Sequence, residues 1–515
     1  MTAPRDCVIR GGRLLRPGAD SAPPADILVA EGRIASIGPP GLAAPEGCPV
    51  IEATGCLLHP GLVNGHTHGH GHYSRGLTDD LTLETLLAGS FWFNGNRSHA
   101  DKYLSTLVGA AEMVLKGCTA CFDLFWEFPT VSQEGMVTAG RAYSDVGMRA
   151  VVAPMVADGS FLGSVPGLLE AIPADLRDEI IPWTAPTPEA LLARLAAIDE
   201  AWPFERDRIA FGLGPTVPLL CSDDFLAGAG RLARDRGLPI QTHLSETRIQ
   251  EVTARNRWGR SLTEHLADLG VLGDTLSVAH AVWLNGHDID LLAGAGAVAV
   301  LNPSSNLRLG SGLPRMRALL DGGLTVGLGT DSASCADHQN MYEVTRLAGY
   351  LSHVQSPDPS RWVTSAEAAR AATEGGAAAL NMPHIGRLEP GCAADIVFLD
   401  LGWVHWLPLR NVTMQLVQAE DATAVRHVMI DGRMVVRDRR LLTVDLARLQ
   451  RQVSDAVARL DAMNTVNAAL FRRLQPVVGR FCSALSPHPQ AAAAPLPPTG
   501  GPAAPGSRRP NEEPT

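Results

Sequence analysis

No block of lysine or arginine stands out in this chain, and its formal net charge is -11. Without such a footprint there is nothing to grip a phosphate backbone or an anionic membrane surface, and nucleic acid is not expected as a partner. No run of about 18 apolar residues occurs, so no transmembrane helix is expected. The opening stretch MTAPRDCVIRGG lacks the apolar segment of a signal peptide. The nine cysteines are scattered, odd in number and without a short secreted framework, which points to a reducing, cytoplasmic location. Cys118 and Cys121 in GCTACFDLF have redox or zinc spacing. Neither a second pair nor a thioredoxin-like helix start accompanies them, and both read as core thiols.

What is present is the text of a folded, soluble protein: 515 residues, 45% hydrophobic and 19% charged, which argues against both disorder and a membrane bundle. The length accommodates one large barrel and an accessory domain. From 57 to 331 the apolar runs LLHPGLVN, CTACFDL, RAVVAPMV, IAFGLGPT, PIQTHLS, TLSVAHAV, AVAVLN and TVGLGTD alternate with helical patterns. One such pattern is Ala100 to Lys116, where Leu104, Leu107, Val108, Ala111 and Leu115 share a face before Gly117 ends the helix. Eight strands alternating with helices predict an α/β fold, a (β/α)8 TIM barrel over 59–387, with chemistry at the C-terminal ends of its strands. Strand-and-turn text lies on both sides of it and predicts a small discontinuous β-sandwich domain from 1–58 plus 388–445. A peripheral C-terminal helical segment follows at 446–484, with Leu446, Leu449, Val453, Val457, Leu460 and Met463 at helical spacing. The Pro/Ala-rich stretch 485–515 is expected to be a disordered tail. No repeat of fixed period appears beyond the barrel's own rhythm.

In PGLVNGHTHGHGH, His66 and His68 stand two apart at a strand end, so both imidazoles project from one face towards the barrel axis. That is a two-tooth clamp for a metal. His70 and His72 lie past the strand, where the pleat need not persist, and receive no ligand role. His243 in QTHLSE, His280 in SVAHAV and Asp331 in GLGTDSAS each end a further apolar run. Any one of them alone would read as structural; together, at the ends of alternating elements, they are the strongest signal in the chain.

The whole pattern resembles the amidohydrolase superfamily, and within it the metal-dependent aminohydrolases of nucleobases, adenosyl-type nucleosides and triazines, such as cytosine deaminase, S-adenosylhomocysteine deaminase and triazine hydrolase. The likeness covers 1–445 and is carried by PGLVNGHTH, SRGLTDDLTLETLL, THLSET, VAHAVWL, NPSSNLRLGSG, GLGTDSAS and GRLEPGCAADIVFLDL. It implies a mononuclear site with His66, His68, His243 and Asp331 around one divalent metal. Dinuclear relatives place a lysine at the end of strand four, and GLGPTVPLL has none. Zinc suits three imidazoles and a carboxylate, and iron serves close relatives. The resemblance further implies that Glu246, three residues after His243, shuttles a proton to a ring nitrogen, while His280 and Asp331 stabilise the adduct and help the amine leave.

Substrate contacts are expected on the rim. In the first loop they are Arg75, Phe91, Trp92, Phe93 and Asn94, although Phe91–Phe93 equally reads as packing of that loop onto the barrel. Trp126, Glu127, Asn306, Arg308, Ser334, His338 and Gln339 occupy the same rim without an assigned role. Relatives that deaminate S-adenosylhomocysteine and methylthioadenosine carry a ribose-binding glutamate further along the first loop, where Gly95 stands here, which favours a free heterocycle or a different decoration. The implied activity is hydrolytic deamination of a pyrimidine, purine, pterin or triazine ring with release of ammonia. A neighbouring reading on the same fold expels chloride or opens a cyclic amide. A non-catalytic scaffold should have lost ligands, and none is lost here. The partners implied are a small-molecule substrate and further copies of the chain in a homo-oligomer.

Overall fold

The computed structural model of the chain describes residues 5–16, 18–180 and 186–485. The expected disordered tail lies outside the described residues except for Leu485, the last residue of a helix.

The N-terminal strands are β1 (Cys7–Leu14), β2 (Pro24–Ala30), β3 (Arg33–Gly38), β4 (Val50–Glu52) and β5 (Cys56–Pro60). Next come β6 (Leu62–Thr67), β7 (Cys118–Phe125), β8 (Arg149–Val156), β9 (Ile209–Phe211), β10 (Gly214–Pro215), β11 (Ile240–Leu244), β12 (Leu276–His280), β13 (Val298–Leu301) and β14 (Thr325–Leu328). The last strands are β15 (Ile396–Asp400), β16 (Val425–Ile430), β17 (Arg433–Arg437) and β18 (Arg440–Leu441). Five helices bear on the site: α1 (Leu83–Ala88), α2 (Ser90–Asn94), α3 (His99–Leu115), α4 (Leu446–Met463) and α5 (Thr465–Leu485).

Strands β6 to β14 form two parallel sheets, one in the order β10-β8-β7-β6 with β9 beside β8, the other in the order β11-β12-β13-β14. Most of these strands are buried on both faces, as parallel strands covered by helices must be, which is why they read as unbroken apolar runs rather than alternations. Leu213 bridges Ile240 in parallel fashion between the two sheets. At the opposite seam the Asp331 amide donates to the His66 carbonyl (3.0 Å).

The run LLHPGLVN proves to be two strands that part at Gly61. On one side β5 pairs antiparallel with β15; on the other, β6 pairs with β7. A Cβ at Gly61 would run into the Thr119 side chain, so the pivot needs glycine. The run IAFGLGPT is likewise divided into β9 and β10, both paired to β8. The strands of the two chain ends meet in one nine-stranded mixed sheet, β18-β17-β16-β15-β5-β1-β2-β3 with β4 beside β1. Arg149 on β8 ties this sheet to the parallel ones through Asp395 (2.9 Å) and Asp431 (3.2 Å), in a buried cluster.

Ser98 and Asp101 close a capping box on α3, and the helix buries Leu107, Ala110, Ala111 and Val114 before Gly117 turns the chain at φ 79°. The C-terminal helical text departs from expectation in two respects. It forms two helices parted at Asn464, whose amide donates to the carbonyls of Gly95 (3.1 Å) and Leu460 (3.0 Å). Nor is it peripheral, since α5 packs Leu470, Leu474, Val478 and Cys482 against Ala88, Val165, Leu168 and Ile172. Cys118 and Cys121 are buried, unpaired core thiols, and burial pushes the Cys118 thiol up to about 12. Among the described residues no helix is long and apolar enough to cross a membrane.

Candidate active site

The C-terminal ends of β6, β11 and β12 and the turn after β14 converge. The Nε2 atoms of His68 and His243 lie 3.3 Å apart, and Asp331 Oδ1 is 3.2 Å from His68 Nε2 and 3.5 Å from His66 Nε2. Two overlapping triads, His66 with His68 and Asp331, and His66 with His243 and His280, each hold their ligand atoms within 4.8 Å of one another. Every one of these side chains is buried.

The other ring nitrogen of each histidine fixes its tautomer. His68 Nδ1 donates to Leu124 O (2.6 Å) and His243 Nδ1 to Thr216 O (2.6 Å), and a carbonyl can only accept. His66 Nδ1 meets Gln241 Oε1 at 2.7 Å, and Gln241 spends its own N–H groups on Gly65 O and Ser277 Oγ. Its oxygen is therefore the acceptor and His66 Nδ1 the donor. In their neutral forms all three rings thus turn an Nε2 lone pair towards one point beside a carboxylate, and His66 Nε2 has no hydrogen-bond partner among the described residues. Such a donor set suits a divalent cation, and its outer partners are of the kind that orient metal ligands.

The electrostatics agree. Burial, reinforced by the neighbouring imidazoles, holds His243 well below the ordinary histidine range. Burial opposes the charge of Asp331, but the His66 and His68 rings beside it outweigh burial and keep the carboxyl well below its usual value, while Asp331 in turn raises the His68 imidazole against its own burial. Asp331 is anchored further by Ser305 Oγ donating to Oδ2 (2.6 Å), Ser332 N to Oδ1 (2.6 Å) and Gln339 Nε2 to its carbonyl (3.0 Å).

Backbone strain re-aims the strand ends. Ser245, His280 and Asp331 adopt φ of 51°, 76° and 61°, a left-handed conformation that costs a non-glycine residue roughly 1–3 kcal/mol. The turn at Ser245 carries Glu246 inward, where it is buried and neither carboxylate oxygen has a hydrogen-bond partner among the described residues. Burial, with the charges of Asp331 and Glu84, pushes the Glu246 carboxyl well above its ordinary value; the Ser311 hydroxyl opposes this without a well-aligned hydrogen bond. His280 Nε2 faces Glu246 Oε2 at 3.5 Å and Asp331 Oδ2 at 3.9 Å. Burial pulls the His280 ring down to about 3, and Asn306 Nδ2 donates to its Nδ1 (3.0 Å), so the neutral ring carries its proton on Nε2.

The expected substrate contacts are scattered rather than gathered around this cluster. Asn306 stands behind His280. Arg75 is paired with Glu112 on α3. Trp92 packs on Phe93 (4.7 Å) and on Phe471 of α5 (5.0 Å), so the aromatic stretch packs the first loop onto the C-terminal helix. Asn94 donates to Ser90 O (3.3 Å), while His338 faces Glu343 at 3.4 Å. Glu127 binds Lys102 (2.6 Å), and Arg308 binds Asp337 (2.8 Å). Ser334 bonds Ser332. Trp126 directs its amide at His70. Gln241 holds His66, and Ser305 and Gln339 hold Asp331; of these only Gln241 has a sequence signal for that role, since it lies two residues before His243 and shares its face of β11.

A further cluster, His405, Glu420 and Asp421, has metal-like spacing. Glu420 there accepts from the Trp406 indole and from three backbone amides, which accounts for it structurally.

Comparison with known proteins follows the same lines. The model of the amidohydrolase family matches residues 57–435. A 5-methylthioadenosine/S-adenosylhomocysteine deaminase of Desulforamulus reducens is 30% identical over 84% of this chain and 94% of the relative. A 5'-deoxyadenosine deaminase of Methanothermobacter thermautotrophicus is 32% identical over the same shares. Among solved structures, an adenosine deaminase from Xanthomonas campestris with bound zinc superposes with a TM-score of 0.78 at 25% identity, covering 89% of this chain and 99% of that one. An atrazine chlorohydrolase from Arthrobacter aurescens complexed with zinc shares the fold, with a TM-score of 0.77 at 23% identity over 88% and 100%.

Proposed function

The chain belongs to the amidohydrolase family, and on that premise we propose that it is a metal-dependent hydrolytic deaminase of an amino-substituted nitrogen heterocycle. The observation that carries this reading is the conjunction of three Nε2 lone pairs and a carboxylate at one point with a buried glutamate whose two oxygens are uncommitted. His66, His68, His243 and Asp331 would hold one divalent ion, zinc by the chemistry of the donor set. Bound there, the ion supplies a water acidified towards a pKa of about 7, hence a nucleophile at neutral pH.

The protein's own groups do the rest. Glu246, whose carboxyl burial raises well above its ordinary value, has both oxygens free to take a proton from water and pass it to a ring nitrogen. His280 presents Nε2–H to the oxygen that develops charge at the attacked carbon. Asp331, held by Ser305 and the Ser332 amide, relays the second proton to the leaving amine. Water adds, the exocyclic C–N bond breaks, and ammonia leaves a ring carbonyl. A Cβ on Gly95 would meet Phe91 O and Asn464, so the first loop has no room there for a sugar-binding side chain, which favours a ring without ribose or with another decoration.

The two parallel sheets are read as halves of one closed (β/α)8 barrel over 59–387. The mixed sheet is read as a β-sandwich domain from 1–58 and 388–445, with 446–484 as a helical appendage. Resemblance to the family carries the expectations of a homo-oligomer and a cytoplasmic location.

The test is Glu246→Gln in zinc-loaded protein, assayed for ammonia, chloride and ring-opened product on cytosine, guanine, 5'-deoxyadenosine and a chlorotriazine. Wild type should release ammonia. The variant should keep its zinc and lose roughly 10²–10⁴-fold in turnover. Full activity in the variant, or chloride as the wild-type product, contradicts the reading.

A further inference from the structure

His70, in the run GHTHGHGH, belongs neither to the ligand set nor to the proton path. Beyond β6 the chain forms a 3-10 turn, Gly69–Ser74, whose backbone is fixed from several sides. Gly69 N donates to Asp123 Oδ1 (2.8 Å), and Ser105 Oγ donates to the carbonyls of Gly69 (2.9 Å) and His70 (3.1 Å). The Arg97 guanidinium donates to His70 O and to Phe93 O. The flanking glycines are required by close approach: a Cβ on Gly69 would overlap Asp123 Oδ2, and one on Gly71 would overlap Ser332 Oγ, beside Asp331. The turn is therefore pressed against the cluster, with the His70 ring 5.4 Å from that of His68 and edge-on to Phe125.

The orientation of that ring is set as firmly as its place. Trp126 N–H donates to His70 Nδ1 (3.0 Å), so Nδ1 is a lone pair and the neutral imidazole carries its hydrogen on Nε2. His70 is 8% exposed, its Nε2 is not among the fully buried atoms left unpartnered, and no hydrogen bond from it is found among the described residues. A braced ring with a reachable Nε2–H, at the mouth of the strand that supplies His66 and His68, is placed to give that hydrogen to an acceptor from outside the chain.

We propose that His70 is a specificity residue whose Nε2–H donates a hydrogen bond to an acceptor atom of the heterocycle, a carbonyl oxygen or an unprotonated ring nitrogen. The inference rests on the deaminase reading and narrows its substrate class to rings that present such an acceptor beside the reacting carbon. A ring with an N–H or ammonium at that position meets a donor and is rejected.

The experiment compares wild type, H70L and H70Q, each zinc-loaded, on cytosine, guanine, adenosine and 5'-deoxyadenosine. H70L should keep its zinc and its kcat while KM rises roughly five- to tenfold, the loss of one neutral hydrogen bond. H70Q can accept from Trp126 N and still donate, and it should restore KM. An unchanged KM in H70L, zinc lost with the imidazole, or H70Q no better than H70L overturns the assignment. A second measurement needs no variant: inhibition of the wild type by a purine series in which each ring nitrogen in turn becomes CH. One position, or removal of the ring carbonyl oxygen in a parallel pair of purines with and without it, should weaken binding roughly five- to tenfold; equal inhibition in both sets overturns the proposal. Zinc-loaded wild type that releases ammonia from none of these rings defeats the deaminase reading itself, an outcome distinct from an active wild type indifferent to His70.

Discussion

A single amide, that of Gln241, decides which nitrogen of His66 faces the metal-ligand cluster. With both N–H groups committed to Gly65 O and Ser277 Oγ, its oxygen must accept from His66 Nδ1, which leaves Nε2 bare. Gln241→Leu should therefore weaken zinc affinity by roughly 10–100-fold while leaving the fold intact, as read by competition with a chelator. Unchanged affinity would mean the tautomer is set by the metal alone. The residues of the cluster, His66, His68, His243 and Asp331, were legible in the sequence because each is a polar residue ending an apolar run, a local signal. The supporting residues were not. Ser305 and Gln339 reach Asp331 from loops whose positions depend on the whole sheet, and Arg75 and Asn306 look like rim residues until their partners Glu112 and His280 are known.

At the scale of elements, the first loop and the last helix act as one unit. Phe471 of α5 packs against both Trp92 (5.0 Å) and Phe93 (5.7 Å), and a Cβ on Gly89 would clash with its ring. It joins Leu81, Leu83, Leu309 and Cys335, which bring together the first loop and the loops after β13 and β14. Phe471→Ala should cost about 3–5 kcal/mol of stability in urea denaturation and speed hydrogen exchange in 81–94. Exchange unchanged there would separate the helix from the loop. Helical spacing showed that something helical follows the last strands. That it lies on the first loop could not be read, because the contact joins residues far apart in the chain and neither partner carries a local sign of the other. The Gly61 pivot was hidden for a related reason, since one continuous apolar run serves two sheets.

For the molecule as a whole, the Arg149 cluster fastens the mixed sheet to the parallel ones. Removing one partner of a buried ion pair typically costs about 3–5 kcal/mol, and Arg149→Met, which takes the cation from Asp395 and leaves Asp431 to Arg5, should lower the urea midpoint accordingly without changing KM. The strand-and-turn text at both chain ends announced the mixed sheet, but no local feature announced this fastening. Glu112 gives the molecule an acid limit. Burial pushes its carboxyl up, but Lys116, Arg75 and the Gln339 amide outweigh burial and hold it to about 2, against 4.5 for an ordinary glutamate. A depressed pKa contributes stability above the unfolded value, so this contribution is lost as pH falls from about 4.5 towards about 2. Glu112→Gln should be less stable than wild type at pH 7 and nearly equal to it at the bottom of that window; a difference independent of pH would contradict the assignment.

The most direct measurement is anomalous X-ray diffraction from crystals of the zinc-loaded protein. One zinc peak is expected at bonding distance, about 2.0–2.2 Å, from Nε2 of His66, His68 and His243 and from a carboxylate oxygen of Asp331. No peak there, or zinc held by other residues, would contradict the account of both the site and its chemistry.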